Sequence, residues 1–222
     1  MTQFLALGLR GVILDMDGLI FDTEALYLRG WSVVGEALGI PLTAEDAKDA
    51  IALSDRCADA LFRERYGDAF SIEKAIPIMS EWIKAELTAS GMPIKPGARE
   101  FIEYLHEQKI PFALGTSNHL HVAEAYLASA DLLHYFDIMV ASDMVGAVKP
   151  APDIFLKAAE LLGFAPAECL VLEDSRVGVT AGHAAGCPTI MVPDLLQPDA
   201  ETRAKAWKVF DSLIEVQKAL FS

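Results

Sequence analysis

The sequence is poor in cysteine: three in 222 residues, with Cys57, Cys169 and Cys187 far apart. An odd count without paired spacing argues against a disulfide framework and against a zinc site, and reads as three buried thiols in a reducing compartment. Long apolar runs are lacking too. No stretch approaches the roughly 20 residues that span a bilayer, and residues 1–10 carry no charged n-region, apolar h-region or small-residue cleavage site. The expected location is cytoplasmic, with no membrane partner. Basic residues are scarce, 18 Lys and Arg against 32 Asp and Glu, for a net charge of -14, and they form no run. A nucleic-acid backbone would be repelled by such a surface. A small phosphate ester is not excluded, because charges within a Debye length of the site decide its binding. Repeats, low-complexity tracts and heptads are absent as well, so the oligomeric state is left open, with a monomer or weak homodimer as the expectation. Of the five histidines, His119 reads as a surface residue of a helical first turn, and His106, His121, His134 and His183 lie in helical or connecting segments without convergent partners.

What is present is a globular composition, 53% hydrophobic and 23% charged, in a length that suits one principal core carrying a smaller insertion. Short apolar runs at residues 11–14, 111–115, 138–141, 169–172 and 189–192 read as buried parallel strands. Between them apolar residues recur at helical spacing: Ala98, Phe101, Ile102 and Leu105; Val122, Ala123, Tyr126 and Leu127; Ile154, Phe155, Ala158, Ala159 and Leu162. Strand alternating with helix predicts an α/β fold, a doubly wound (Rossmann-like) parallel sheet. Residues 22–90 break the alternation with helix-period patterns alone, such as Tyr27, Trp31, Val34 and Leu38, then Ile72, Ile76, Met79, Ile83 and Leu87. Pro77 is expected to start or kink a helix there, and Gly91, Met92 and Pro93, then Lys95, Pro96 and Gly97, mark the return. The expected division is a core of residues 1–19 and 95–222 with an all-helical domain, 20–94, inserted after the first strand.

Four polar segments follow predicted strands. Asp15 and Asp17, at i and i+2 of an extended segment, point the same way at the carboxyl end of the first strand, where open α/β sheets bind ligands, and Gly18 lets the backbone turn or approach a ligand. The alternative is a polar turn. Glu173 and Asp174 follow the strand at 169–172 and belong on the same rim, although Asp174 or Ser175 could simply cap the next helix. Carboxylates about 4 Å apart repel by about 4 kcal/mol per pair at an effective dielectric near 20. An all-oxygen set with no neighbouring His or Cys pair suits a hard cation, so Mg2+ is the expected cofactor. Thr116, Ser117 and Asn118 offer hydroxyls and backbone N–H groups at a helix N-terminus, which suits an anion and equally suits capping. Lys149, on the Pro150 and Pro152 loop, either aims its ammonium into the site or lies on the surface.

Taken in order, Asp15 and Asp17, Thr116, Lys149, and Glu173 with Asp174 resemble the four motifs of the haloacid dehalogenase superfamily of phosphohydrolases, over essentially the whole chain. The insertion resembles that family's small helical cap, and residues 17–24, Asp-Gly-Leu-Ile-Phe-Asp-Thr-Glu, resemble its beta-phosphoglucomutase-like branch. The resemblance implies that Asp15 is a nucleophile phosphorylated by a small phosphorylated metabolite, a sugar phosphate or nucleoside monophosphate. Asp17 would protonate the leaving oxygen and then activate water. It further implies Mg2+ on the Asp15 carboxylate, the Asp17 carbonyl and Asp174 with Glu173 in support, and a phosphoryl group held by Thr116 and Lys149. Glu24, Tyr27 and Arg56 are the candidates for contacts from the cap, where Tyr27 and Trp31 also fit the apolar stripe of a packed helix.

A phosphomutase would use the same aspartates, but its expected histidine is here Tyr27, and no Gly-x-x-Arg loop is evident near residues 53–56. A dehalogenase has no need of Asp17 or of the second acid cluster. A receiver-type phosphoacceptor shares acids, a hydroxyl and a lysine around magnesium, but has no use for the helical insertion or for the acid pair after Lys149.

Overall fold

The computed structural model describes residues 2–50 and 55–221, without the side chains of 55 and 56. Six parallel strands, β1 (Gly11–Leu14), β2 (Phe112–Gly115), β3 (Met139–Val140), β4 (Cys169–Glu173), β5 (Thr189–Met191) and β6 (Lys208–Val209), form one sheet in the order β3-β2-β1-β4-β5-β6. The sheet reverses its winding at β1, flanked by β2 and β4, and such a switch point leaves a crevice at the carboxyl ends of the strands. The five expected strands are present, and β6 is an addition.

Strand alternation splits the apolar residues between two layers. Ile13, Ala113 and Val171 are in register across β2, β1 and β4. They pack with Ile154, Phe155, Ala158 and Ala159 of helix Asp153–Leu162 and with Ala181 and Ala185 of helix Arg176–Ala185. Val12, Leu14, Leu114, Leu170 and Leu172, equally buried, alternate to the opposite layer. Helices Ala98–Glu107 and Leu213–Leu220 pack together, and the Phe221 ring sits against Phe4 and Phe101, at 4.7 and 5.4 Å between centroids. The result is an α/β sheet with helices on both sides.

The chain divides into two compact units, residues 1–22 with 94–222, and residues 23–93. The division falls three residues later than expected on the outgoing side and one earlier on the return. The reason is backbone pairing: Gly18 N donates to Phe21 O at 2.8 Å, Lys95 N donates to Ile20 O at 2.8 Å, and Phe21 bridges Ile94 antiparallel, which keeps both crossings with the sheet.

The second unit is helical, with Thr23–Leu38, Ala44–Ala47, Asp55–Tyr66 and Ile72–Ser90 as its α-helices. Its centre is aromatic: Trp31 lies 5.2 Å from Phe62 and 6.2 Å from Phe70, between ring centroids. Trp31 is thus a packing residue. Pro77 falls inside helix Ile72–Ser90, whose first turn has already formed at Ile72.

Cys169 and Cys187 are buried, and burial pushes their thiols up to about 11 and about 12. Cys57 departs from expectation and is exposed. On its helix the inward residues are Ala58 and Phe62, four apart, and Cys57 faces away from them.

Candidate active site

The sheet register builds the site. Leu14 is level with Leu114 on one side and Leu172 on the other, so the residues that follow each, Asp15, Gly115 and Glu173, stand in a row at the carboxyl edge. Neighbouring strands are about 4.8 Å apart, and Asp15 N donates to Leu172 O at 3.0 Å, which holds the row together. Asp15, Thr116 and Glu173 are three of only seven buried polar or charged residues among those described, so the polar burial is concentrated here.

After Asp15 the backbone curls back on itself. Ile20 N and Phe21 N both donate to Met16 O, at 2.9 and 3.0 Å. Met16 points into the core while Asp15 and Asp17 share the other side, as i, i+2 geometry requires. Gly18 has φ of +75° and lies so close to the Asp174 carboxylate that a Cβ would overlap Oδ2. A side chain at position 18 would therefore be strained by its backbone and would displace an acid of the site.

Lys149 is buried, its side chain 4% exposed, and Nζ donates to Asp15 Oδ1 at 2.5 Å and to Glu173 Oε1 at 2.7 Å. Nζ also lies 4.8 Å from the Phe155 ring centroid, which provides the face it rests on. The Lys149–Pro150 peptide is cis. Of the two readings open to this lysine, the inward one holds.

Glu173 is completely used. Oε1 takes Lys149, and Oε2 accepts from Ser175 N and Ser175 Oγ, both at 2.8 Å. Ser175 Oγ also accepts from Gly178 N at 3.0 Å, so it caps helix Arg176–Ala185 and buttresses Glu173 at once. The expected alternatives for this segment, site and cap, coexist. A Cβ on Gly178 would overlap the Glu173 carboxylate. Gly178→Ala is therefore expected to destabilise the protein by about 1–3 kcal/mol through overpacking, and to lower activity by roughly 10- to 100-fold by shifting a supporting carboxylate. Thermal unfolding with turnover measured on the same preparation checks this, and wild-type values for both would mean that Glu173 moves aside without consequence.

The Thr116 segment divides its work. Thr116 is fully buried, its N–H donates to Val140 O at 2.9 Å, and its Oγ1 accepts from Asn118 N at 3.1 Å. The Asn118 side chain, expected to meet a phosphate, donates from Nδ2 to Asp17 Oδ2 at 2.5 Å. Ser117 is exposed. Helix Leu120–Ser129 is capped by neither Ser117 nor Asn118: Asp143 Oδ1 accepts from Leu120 N at 3.0 Å. Of the three residues expected in the second unit, Glu24 is half-buried and Tyr27 exposed on helix Thr23–Leu38, and the Arg56 side chain lies outside the described residues.

Electrostatics identify what the cluster lacks. Carboxylate oxygens of Asp15, Glu173 and Asp174 all lie within 4.8 Å of one another, with Asp17 beside them and one ammonium among them. Burial pushes the Asp15 carboxyl up to about 8; Lys149 works against that rise, and Glu173 and Asp17 add to it. Asp174 is likewise held well above the usual carboxylate range by burial, then by Glu173 and Asp15. Burial opposes the charge on Lys149, yet Asp15 and Glu173 together hold its pKa above the ordinary lysine value. The acids therefore need more positive charge than one lysine supplies, and their all-oxygen set with Glu173 already engaged fits a small hard cation on Asp15 and Asp174.

A family model described as haloacid dehalogenase-like hydrolase matches residues 9–186. The chain is 36% identical over 190 residues to the fructose-1-phosphate phosphatase YqaB of Escherichia coli (strain K12), covering 82% of this chain and 95% of that one. It is 33% identical over 215 residues to a protein of Drosophila melanogaster named as a probable pseudouridine-5'-phosphatase, covering 94% and 92%. Among solved structures, a Thermotoga maritima protein provisionally named a beta-phosphoglucomutase superposes with a TM-score of 0.82 at 30% identity, over 96% of this chain and all of that one. A family match across most of the length, relatives above 30% identity, and a rim of acids around one lysine agree: the chain belongs to the haloacid dehalogenase-like hydrolases.

Proposed function

We propose that this protein is a magnesium-dependent phosphatase that hydrolyses a small phosphorylated carbohydrate or nucleoside monophosphate through an aspartyl phosphate on Asp15. The observation that carries the reading is the difference in surroundings between two aspartates. Asp15 is buried, level with the neighbouring strand ends and clasped by Lys149; Asp17 Oδ2 accepts from the Asn118 side chain. In this reading Asp15 attacks and Asp17 handles protons.

In this mechanism an Asp15 carboxylate oxygen attacks phosphorus, a new P–O bond forms, and the bond to the ester oxygen breaks. Asp17 gives its proton to the departing alkoxide, and Asn118 holds the carboxyl group in line. Asp17, now ionised, takes a proton from water as that water attacks the same phosphorus; the bond from phosphorus to the Asp15 oxygen breaks, which releases inorganic phosphate and restores both aspartates. The Lys149 ammonium and the Thr116 hydroxyl bind the phosphoryl oxygens. Mg2+ would be held by Asp15, Asp174 and the Asp17 backbone carbonyl with Glu173 in support, and would supply the positive charge that keeps Asp15 ionised and draws in an anionic substrate. Residues 23–93 act as the cap, and selectivity among phosphate esters is assigned to them.

The substrate class follows the relatives, one acting on fructose 1-phosphate by its name and one named for pseudouridine 5'-phosphate. Sugar phosphomutase is the second reading, supported by the Thermotoga neighbour's name and opposed by Tyr27 at the position of the expected histidine. A panel of sugar phosphates and nucleoside monophosphates, assayed with Mg2+ and with EDTA, separates them. Phosphate release that needs Mg2+ is the expected result. Release undiminished by EDTA would sink the metal requirement, and isomerisation without release would establish the mutase.

A further inference from the structure

Beyond the rim lies a buried carboxylate that the mechanism above does not use. Asp194 follows β5 on the loop through Val192 and Pro193, and its side chain is only 8% exposed. Oδ1 accepts from Lys95 Nζ at 2.6 Å. Oδ2 is buried with no partner, one of two such side-chain atoms among the described residues, the other being Thr2 Oγ1 at the start of the chain. A carboxylate has about four acceptor sites, and leaving a buried oxygen empty is costly. A plain ion pair with Lys95 would explain Oδ1 and leave Oδ2 unexplained.

The backbone brings the Asp194 loop alongside the acid cluster. Met191 is in register with Glu173, and Val192 N donates to Glu173 O at 2.7 Å, so the Asp194 loop leaves the sheet alongside Glu173 and Asp174. Asp194 is near enough that its charge contributes to the raised pKa of Asp174. Lys95 in turn is fixed by the backbone, donating from N to Ile20 O at 2.8 Å and accepting at its carbonyl from Ala98 N at 3.0 Å. The pair is therefore braced from the chain's return crossing and presented to the rim.

We propose that Asp194 is a positioning residue for the cation: with Oδ1 fixed by Lys95, its buried Oδ2 supplies an acceptor to the hydration shell of the ion held by Asp15 and Asp174. The proposal rests on the magnesium reading of the acid cluster and assigns Asp194 no contact with the substrate. Hydrogen-bonded water satisfies a buried acceptor nearly as well as a protein donor does, and outer acceptors of this kind tune the affinity of the first ligands.

The test is cation binding by the intact, substrate-free protein: Mn2+ uptake followed by water-proton relaxation, with Mg2+ as competitor. Asp194→Asn is expected to weaken both ions by about tenfold. Lys95→Met paired with Asp194→Asn removes both charges of the half-buried pair, and the same weakening is expected there if the single variant proves unstable. Lys95→Met alone, which retains the carboxylate, serves as the control for a merely structural ion pair. Affinity within about twofold of wild type in folded Asp194→Asn, with unfolding temperatures lowered equally in it and in Lys95→Met, would reduce Asp194 to that ion pair and overturn the proposal. Absence of Mn2+ and Mg2+ binding in the wild type would overturn the magnesium reading itself, and this assignment with it.

Discussion

Asparagine in place of Asp15 is expected to reduce phosphate release by on the order of 10^4-fold or more, because the amide cannot attack phosphorus while its shape and its acceptor for Lys149 are preserved. The same change should leave the metal-free protein as stable as wild type or more so. The sign follows from linkage: the carboxyl's pKa rises from 3.8 to about 8 on folding, with burial as the leading cause. An acid raised in this way destabilises the fold progressively as pH climbs from the unfolded value toward the folded one. In EDTA the variant should therefore unfold above wild type at neutral pH, and the two should converge below about pH 4. Steady-state phosphate release and thermal unfolding across pH provide the measurements. Residual turnover near the wild-type rate would remove Asp15 from the chemistry, and a collapse of stability at neutral pH would mean that its negative charge holds the fold together.

Lys149→Met should have the next largest effect. Methionine keeps most of the stem that rests on Phe155 but removes the only ammonium seen between Asp15 and Glu173 among the described residues. Breaking a buried ion pair on one side typically costs about 3–5 kcal/mol, since the abandoned charges stay buried. Loss of a donor aimed at the transferring phosphoryl group should cost a further 100- to 1,000-fold or so in turnover. Denaturant unfolding of the variant with and without Mg2+ tests the first part: a divalent cation replaces some of the missing charge, so the stability deficit should narrow when it is added. A variant as stable as wild type in EDTA would show that the acids are already neutral without the lysine, and an active one would release Lys149 from phosphoryl binding.

Much of the rim was legible because each polar segment terminates a short apolar run. Asp15, Thr116 and Glu173 could be set on one edge from strand ends alone, and the register then made Asp15 level with Glu173 and with Gly115, the residue before Thr116. What stayed illegible depends on side chains that meet across long sequence separations. A lysine ahead of two prolines gives no hint that Phe155 will lie under it, and Asn118 reads as an anion ligand until its amide is seen on Asp17, 101 positions away. The Lys95–Asp194 pair spans 99 positions, so Val192-Pro193-Asp194 reads as an ordinary loop. Gly178 left a fainter signal, a glycine three residues after Ser175 in a helix where alanine would be the better helix former. The sixth strand escaped because Lys208 and Val209 are half-buried at the sheet's edge and offer no apolar run.

The pairing of Phe21 with Ile94, and of Lys95 with Ile20, has an evolutionary corollary. The outgoing and returning strands of backbone are stitched side by side, so everything between them is an excursion whose two ends are already joined. Closure entropy grows only logarithmically with the length of such an excursion, about 0.6 kcal/mol for each doubling. A lineage can therefore lengthen, trim or exchange residues 23–93 while the acid rim keeps its register, and under the proposed assignment of selectivity to those residues, taste for one ester or another can diverge without retuning the rim.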